Sequence, residues 1–258
     1  MKRFQTQLPG RLLALAICTG AVAPSPARAQ MEQQFLSLNP TESISIHASE
    51  TVEWLQDKKE YVARGQVRVR KGQSALHAEE LRARYSVVNG KPQVKTLQAS
   101  GGVLIRDGQS EAQGPSAIYE ADTAYFRMDG GPVRLQTPEF VLTANRAVEF
   151  WSQARKASAT GGAVVTRKAD GSRLSSERLD LRFVVRNGKY ALESVKASGG
   201  VQVQAQGKSA KGGQAAYDVE SGEVSLQDNV VLQQGNSRLQ GSDATLNLKE
   251  GVSRLKNA

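Results

Sequence analysis

An apolar and a polar residue alternate without exception in the stretch Val201-Gln202-Val203-Gln204-Ala205. Successive side chains of a β-strand point to opposite faces of its sheet, so this period of two predicts a strand with one buried and one wet face. The same alternation recurs at 44–48, 67–70, 223–227 and 244–248. We therefore predict an all-β, mostly antiparallel fold.

Turn-forming residues separate these segments, for example Asn89-Gly90, Asp107-Gly108 and Asn187-Gly188. Such dipeptides favour tight hairpins, because the turns that suit the twist of two strands need positive φ at both central residues. The segment 76–85 contains good helix formers, but its counterpart 174–183 alternates like a strand. Both are predicted to be strands that can carry a bulge.

The chain contains an internal duplication. Nine of seventeen positions are identical between 87–103 and 185–201, which lie 98 residues apart and share the run Ala-Ser-Gly-Gly-Val. Upstream, the pattern that begins at Gly65 matches the pattern that begins at Gly162 at a spacing of 97. We predict two tandem modules, 41–160 and 161–258, that form one continuous folded sheet, because no Pro/Ser-rich linker divides them. Two independent sandwiches are the alternative.

The N-terminus has the pattern of a secretory signal peptide. Lys2, Arg3 and Arg11 precede an apolar run over 12–23, and Ala27-Arg28-Ala29 has the A-x-A form of a cleavage site. We predict cleavage after Ala29, a flexible leader over 30–40 and a periplasmic location. A retained anchor or a lipid on Cys18 are the alternatives, and Ile17 is larger than the residue that usually precedes a lipidated cysteine.

The composition excludes several classes of protein. The chain has 258 residues, of which 39% are hydrophobic and 5% aromatic. Without residues 1–29 it has no cysteine, and its net charge falls from +9 to 30 − 25 = +5. The histidines, His47 and His77, have no Cys or His partner at ligand spacing, so we predict no metal, no cofactor and no enzymatic activity. No nucleic-acid-binding signature is present.

The opening of the predicted mature chain carries an ordered series of strand motifs. They are Ile44-x-Ile46-x-Ala48, then Tyr61-x-Ala63-x-Gly65-x-Val67-x-Val69-x-x-Gly72, then Leu76-x-Ala78-x-x-Leu81. This series resembles the LptA or OstA-like family of periplasmic lipopolysaccharide-transport proteins, and similar Gly-x-Val pieces recur at Gly102 and Gly200. Family members are often shorter, with a single module.

The resemblance implies a V-shaped β-jellyroll, also described as a folded taco, whose apolar interior holds the acyl chains of lipopolysaccharide. It also implies head-to-tail self-association and contact with inner-membrane and outer-membrane components of the transport machinery. The implied function is a bridge that carries lipopolysaccharide from the inner to the outer membrane. A self-assembling envelope protein without lipid cargo and the inner-membrane-anchored partner of the same machinery are the alternatives.

The alternation itself selects the candidate groove residues, which share the apolar side of their strands. They are Ile44, Ile46, Val67, Val69, Val103, Ile105, Val164, Val201, Val203, Leu226 and Leu246. Smooth aliphatic walls suit flexible alkyl chains, although the same residues could simply form core. Few aromatic residues are expected on this side.

Two further groups of residues complete the predictions. Ile44–Ala48 and 244–248 have few charges and are predicted to be exposed sheet edges available for strand addition. Basic residues lie on the polar side of the strands and are predicted to form a solvated surface; they are Arg68, Arg70, Lys71, Arg82 and Arg84.

Overall fold

The computed structural model describes residues 44–186, 189–205, 207–247 and 252–256, and it describes only the backbone of Ile44, Lys91, Lys189, Val252 and Ser253. The predicted signal peptide, the predicted leader and the turn at Asn187-Gly188 lie outside the described residues. In the described ranges, no helix is long and apolar enough to cross a membrane.

All regular structure in the described residues is β-strand, and the strands form one sheet in which every pairing is antiparallel. The all-β prediction is confirmed. The strands are β1 (Ile44–His47), β2 (Thr51–Leu55), β3 (Glu60–Lys71), β4 (Ser74–Val88), β5 (Lys91–Asp107), β6 (Ser110–Glu120), β7 (Tyr125–Asp129), β8 (Val133–Gln136), β9 (Phe140–Ala144), β10 (Ala147–Trp151), β11 (Lys156–Arg167), β12 (Arg173–Arg186), β13 (Lys189–Ala205), β14 (Lys208–Asp218), β15 (Glu223–Gln234), β16 (Ser237–Asn247) and β17 (Val252–Lys256).

A row of β-bulges crosses the whole sheet. At each bulge, two successive residues with positive φ lie opposite a single residue of the neighbouring strand, as Gly101 and Gly102 lie opposite Glu79. A bulge of this kind bends its strand and increases the local twist. The glycines of these bulges therefore lie inside long strands. The bulges are at 65–66 in β3, 101–102 in β5, 161–162 in β11, 199–200 in β13 and 228–229 in β15.

The bulge row divides the sheet into two walls. Wall 1 contains β2, β7, β10, β17 and the parts of the long strands that pair in line with them. Wall 2 contains β1, β8, β9 and the remaining parts of the long strands. Most strands pass from one wall to the other through the row. The chain also crosses it between β1 and β2, between β7 and β8 and between β9 and β10.

The two walls share their buried residues. Each of the two hydrophobic clusters contains residues of both walls, such as Ala63 and Leu81 from wall 1 with Val67 and Val103 from wall 2. Val148 packs against both clusters, so the core is continuous from one cluster to the other. We call the face of each wall that carries these clusters the inner face. Side chains on the inner face are buried because the opposite wall covers them.

The strand register repeats along the chain. Thr51 pairs with Arg64 in β2–β3, and Ala147 pairs with Thr160 in β10–β11. The same pairing joins Asp243 to Lys256 in β16–β17. Each step is 96 residues for both partners, since 147 − 51 = 96 and 243 − 147 = 96. The chain therefore begins a third repeat at its C-terminal end.

Candidate functional site

The candidate site is the inner face, which extends across both walls from β1 and β2 to β16 and β17. Most of the predicted groove residues lie on it, and the walls bury them almost completely: Val103 is 0% exposed and Ile105 is 9% exposed. Val69 is half-buried and Ile46 is 38% exposed. Val67, Val201, Val203, Leu226 and Leu246 are buried in the same way. The backbone of Ile44 pairs with Lys71, and its side chain lies outside the described residues.

Val164 lies on the other face of the sheet. Its neighbours Ala163 and Val165 belong to the buried cluster, and Val164 points away from them. The cause is the bulge at Gly161-Gly162, which corresponds to Gly65-Gln66 at a spacing of 96. The spacing of 97 between Gly65 and Gly162 is therefore one residue longer than the structural repeat. A shift of one residue moves a side chain to the opposite face of the sheet.

Aromatic side chains form a row on the inner face of wall 1, near the margin opposite the bulges. The expectation of few aromatic residues on this side is therefore wrong. Trp54 stacks on Tyr61 with ring centroids 5.8 Å apart, and its Nε1 donates a hydrogen bond of 2.7 Å to Tyr85 Oη. Phe150 packs edge-on against Phe183 and Tyr190. Tyr119, Phe126 and Tyr217 complete the row through the strand register.

The repeat spacing could have revealed this row. Trp54 and Phe150 are 96 residues apart, and Tyr85 and Phe183 are 98 apart. Aromatic residues at equivalent positions of two repeats indicate that both repeats use the position in the same structural role.

Both ends of the inner face are open within the described residues. At the N-terminal end, Val52 and Trp54 are each 56% exposed although both point to the inner side of wall 1. At the other end, Leu239 of β16 lies beside the buried Leu232 and is 50% exposed. These side chains are exposed because no described strand covers them.

The structure has one of the two predicted sheet edges. Strands β1 and β2 each pair only with β3 among the described residues, so the edge at 44–48 is present. The edge predicted at 244–248 is wrong for Ala244–Asn247, because these residues pair with β15 on one side and β17 on the other. The outer strands at this end are β17 in wall 1 and the segment Ser237–Gly241 in wall 2. Leu248 lies outside the described residues.

Ion pairs cover the outer face of wall 1. Arg64 binds Glu53 and Glu80 at 3.3 and 3.2 Å, and Arg82 also binds Glu80 at 2.5 Å. Arg84 binds the buried carboxylate of Glu60 at 3.5 Å. Arg82 and Arg84 are thus on the polar side, as predicted, but both are paired with carboxylates.

A second group of ion pairs lies on the same face, around Arg127. Its Nε is 2.5 Å from Asp129 Oδ2 and its Nη1 is 3.0 Å from Glu149 Oε1. Ser116 Oγ donates a hydrogen bond of 2.6 Å to Asp129 Oδ1. This hydrogen bond and the pairing with Arg127 together hold the pKa of Asp129 below its usual range.

Lowering the pH is expected to destabilise the protein partly through Asp129. Its pKa is lower in the folded chain than in the unfolded chain, so it stabilises the fold above the unfolded pKa of about 3.9, and this contribution is lost as pH falls towards the folded value. Ser116→Ala should therefore reduce the unfolding free energy by about 1 kcal/mol at neutral pH and less at low pH. Urea unfolding at several pH values measures this. Ser100→Ala is the control, because Ser100 pairs with Ser116 in the strand register and makes no described side-chain hydrogen bond. An equal loss of stability for Ser116→Ala at all pH values would contradict the explanation.

The remaining predicted basic residues and both histidines belong to wall 2. Arg68 and Arg70 are exposed on its outer face, and His47 and His77 each pair with Arg68 through the backbone register. No cluster of three metal-ligating side chains occurs in the part of the chain that the structure describes.

A family model matches the chain twice. The family model for LptA and the LptD N-terminal domain, described as lipopolysaccharide-transport proteins, matches residues 46–149 and again 144–252. These matches cover most of the chain, so it belongs to this family, and the resemblance of its opening motifs is confirmed. The two matches meet at 144–149, where β9 and β10 correspond to β1 and β2.

A solved structure is also similar to part of the chain. It is the crystal structure of LptH, the LptA-homologous periplasmic component of the lipopolysaccharide-transport device from Pseudomonas aeruginosa. The sequence identity is 11%, and the match covers 64% of this chain and 96% of LptH with a TM-score of 0.27. No match was found among curated protein sequences.

Proposed function

We propose that the protein is a periplasmic carrier of lipopolysaccharide that holds the acyl chains against its inner face and bridges part of the path to the outer membrane. The observation that supports this most directly is the inner face itself. Among the described residues, it carries a continuous band of apolar side chains along the bulge row, and both of its ends are open. Its family membership and its signal-peptide pattern support the same conclusion.

The energetics favour a sliding cargo. Burying one methylene contributes about 0.8 kcal/mol, so an acyl chain with about ten buried methylenes gains about 8 kcal/mol. Near the bulge row, the inner face offers Val, Leu and Ala side chains with few hydrogen-bonding groups. Successive positions therefore bind an alkyl chain with similar free energy, and a lipid can move between them without entering water.

Loading requires the walls to separate. Val67, Val103 and Val201 are at most 1% exposed, so in this structure the walls themselves occupy the space between them. Acyl chains between the separated walls would make new apolar contacts in place of the apolar contacts that the walls lose. This limits the free-energy cost of opening. We infer that a lipid enters at the open N-terminal end, where Ile46, Val52 and Trp54 are already exposed.

We also propose that copies associate head to tail and that the terminal copies contact the inner-membrane and outer-membrane parts of the transport machinery. The edge strands β1 and β2 and the outer strands at the C-terminal end support this proposal. An uncovered strand presents free backbone N–H and C=O groups that can pair with another strand. Joining the ends would make the inner faces of two copies continuous.

Photo-crosslinking tests the lipid proposal. A photoreactive amino acid at Ile46 or Val69, on the inner face, should capture lipopolysaccharide in cells. The same amino acid at Thr160 or Arg178, on the outer face of wall 1, should capture none. Thr160 is the sharper control because it is half-buried and adjacent to the buried Ala159. Capture at the outer positions alone would overturn the proposal, and filaments that form without any captured lipid would favour a structural protein without cargo.

A further inference from the structure

Two rows of side chains cover the outer face of wall 2. In the row nearest the bulges, the register connects His47, Arg68, His77, Leu104, Gln113, Arg134, Thr143, Val164, Ser175, Gln202, Lys211, Val231 and Gln240. The next row connects Ser45, Arg70, Ala75, Arg106, Glu111, Gln136, Val141, Thr166, Arg173, Gln204, Ser209, Gln233 and Arg238. We call these two rows the wall 2 surface.

The wall 2 surface is strongly cationic. It carries seven Arg and Lys residues and one carboxylate, Glu111, which pairs with Arg106 at 2.8 Å. Among the described residues, no carboxylate lies within ion-pair distance of the other six cations, which are Arg68, Arg70, Arg134, Arg173, Lys211 and Arg238. These six side chains are exposed.

The corresponding two rows of wall 1 have a different charge balance. They carry seven cations, Arg64, Arg82, Arg127, Arg178, Lys196, Arg254 and Lys256, and six carboxylates, Glu53, Glu80, Asp129, Glu149, Asp180 and Asp243. Most of these charges form ion pairs. The excess positive charge of the described chain is therefore concentrated on one face.

We propose that the wall 2 surface docks on an anionic phospholipid membrane. Thirteen strand positions at about 4.8 Å give a surface about 60 Å long, with cations spread along it. Such a surface suits the distributed charge of lipid headgroups. A protein interface instead concentrates its binding energy in a few buried aromatic and Arg side chains, and the wall 2 surface has no aromatic residue.

This surface is separate from the proposed lipid path. Its side chains point away from the inner face, and it attracts headgroups by charge, whereas the inner face binds alkyl chains. Docking through wall 2 would hold the long axis of the sheet against the membrane while the open N-terminal end remains accessible.

Vesicle co-sedimentation tests this inference. Protein recovered from the periplasm should bind vesicles of phosphatidylglycerol and phosphatidylethanolamine and not vesicles of phosphatidylcholine. Each cation near an anionic surface changes partitioning by about fivefold, so the triple variant Arg70→Gln/Arg173→Gln/Lys211→Gln should bind about 100-fold more weakly. Salt at about 1 M, where the Debye length is about 3 Å, should abolish the binding.

A matched control is available on wall 1. The triple variant Arg182→Gln/Lys196→Gln/Arg254→Gln removes two arginines and one lysine that are also exposed and have no described ion pair, and it changes the net charge equally. It should bind almost like the parent protein. Equal weakening by both triple variants would mean that only net charge matters, and it would overturn the proposal.

Two other outcomes would also overturn it. These are equal binding to neutral vesicles, and binding of an acidic protein through wall 2 without vesicle binding. The vesicles contain no lipopolysaccharide, so the result does not depend on the cargo. Circular dichroism confirms that each variant is folded.

Discussion

Val52→Asp is expected to leave the protein folded and to weaken the proposed head-to-tail association by about 100-fold. Val52 is 56% exposed at the N-terminal end of the inner face, so the substitution removes no buried contact within one copy. In an assembled pair this valine would be covered. Burying a Val side chain contributes about 1.5–3 kcal/mol, and burying an unpaired carboxylate costs more. Sedimentation velocity over a concentration series measures the effect.

The other end supplies an independent test. Leu239→Asp should have the same effect, because Leu239 lies at the open C-terminal end of the inner face and is 50% exposed. A head-to-tail contact joins unlike surfaces, so each variant keeps one intact end. A mixture of the two variants should therefore form a heterodimer, while each variant alone stays monomeric.

Val185→Asp is the matched control for both variants. Val185 is 47% exposed near the tip of the β12–β13 hairpin, away from both ends, and its replacement should not change association. If Val52→Asp prevents association and Leu239→Asp does not, the contact joins two N-terminal ends and the head-to-tail arrangement is wrong.

Gly161→Ala is expected to reduce the free energy of unfolding by about 3 kcal/mol. Gly161 has a φ of 87°, a value that costs an L-residue about 1–2 kcal/mol. A Cβ at this position would also lie 2.7 Å from the backbone nitrogen of Arg146, at the break between β9 and β10. Backbone atoms there cannot move without disturbing the pairing of β10 with β11, so the crowding adds to the cost.

Gly162→Ala separates the two contributions. Gly162 has a φ of 72°, but a Cβ there would meet only the side-chain amide of Asn145, at 3.5 Å. We expect a loss of about 1–2 kcal/mol from backbone strain alone. Urea unfolding followed by circular dichroism gives both values. Equal losses would show that crowding at the bulge contributes nothing.

The sequence predicted most of the fold because its strands are amphipathic and its hairpin turns have recognisable residues. It did not predict which face of the sheet carries Val164. A bulge inserts one residue into a strand, and only the neighbouring strand shows which residue is extra. The edge prediction at 244–248 failed for a related reason. Whether Ala244 lies at an edge depends on β17, whose short segment Val252–Lys256 carries three polar residues and shows little amphipathic pattern.

The residues of the inner face were predicted more completely on wall 2 than on wall 1. Small and aliphatic residues alternate clearly around Val103 and Val201, so their inward orientation follows from the pattern. The aromatic row lies nearer the hairpin tips of wall 1, where Phe183 and Leu192 pair across an irregularity in the register. Contacts such as that between Trp54 and Tyr85 join residues 31 positions apart, and alternation within one strand carries no information about them.

The pairing register that returns every 96 residues makes this protein extensible. A further copy inserted at the boundary between repeats would add six strand positions to each wall, or about 29 Å, with every bulge still aligned with its neighbours. Removal of one copy would shorten the protein by the same amount and leave both ends unchanged. Gene duplication can thus set the span of such a protein in fixed increments, without new surfaces having to evolve at either end.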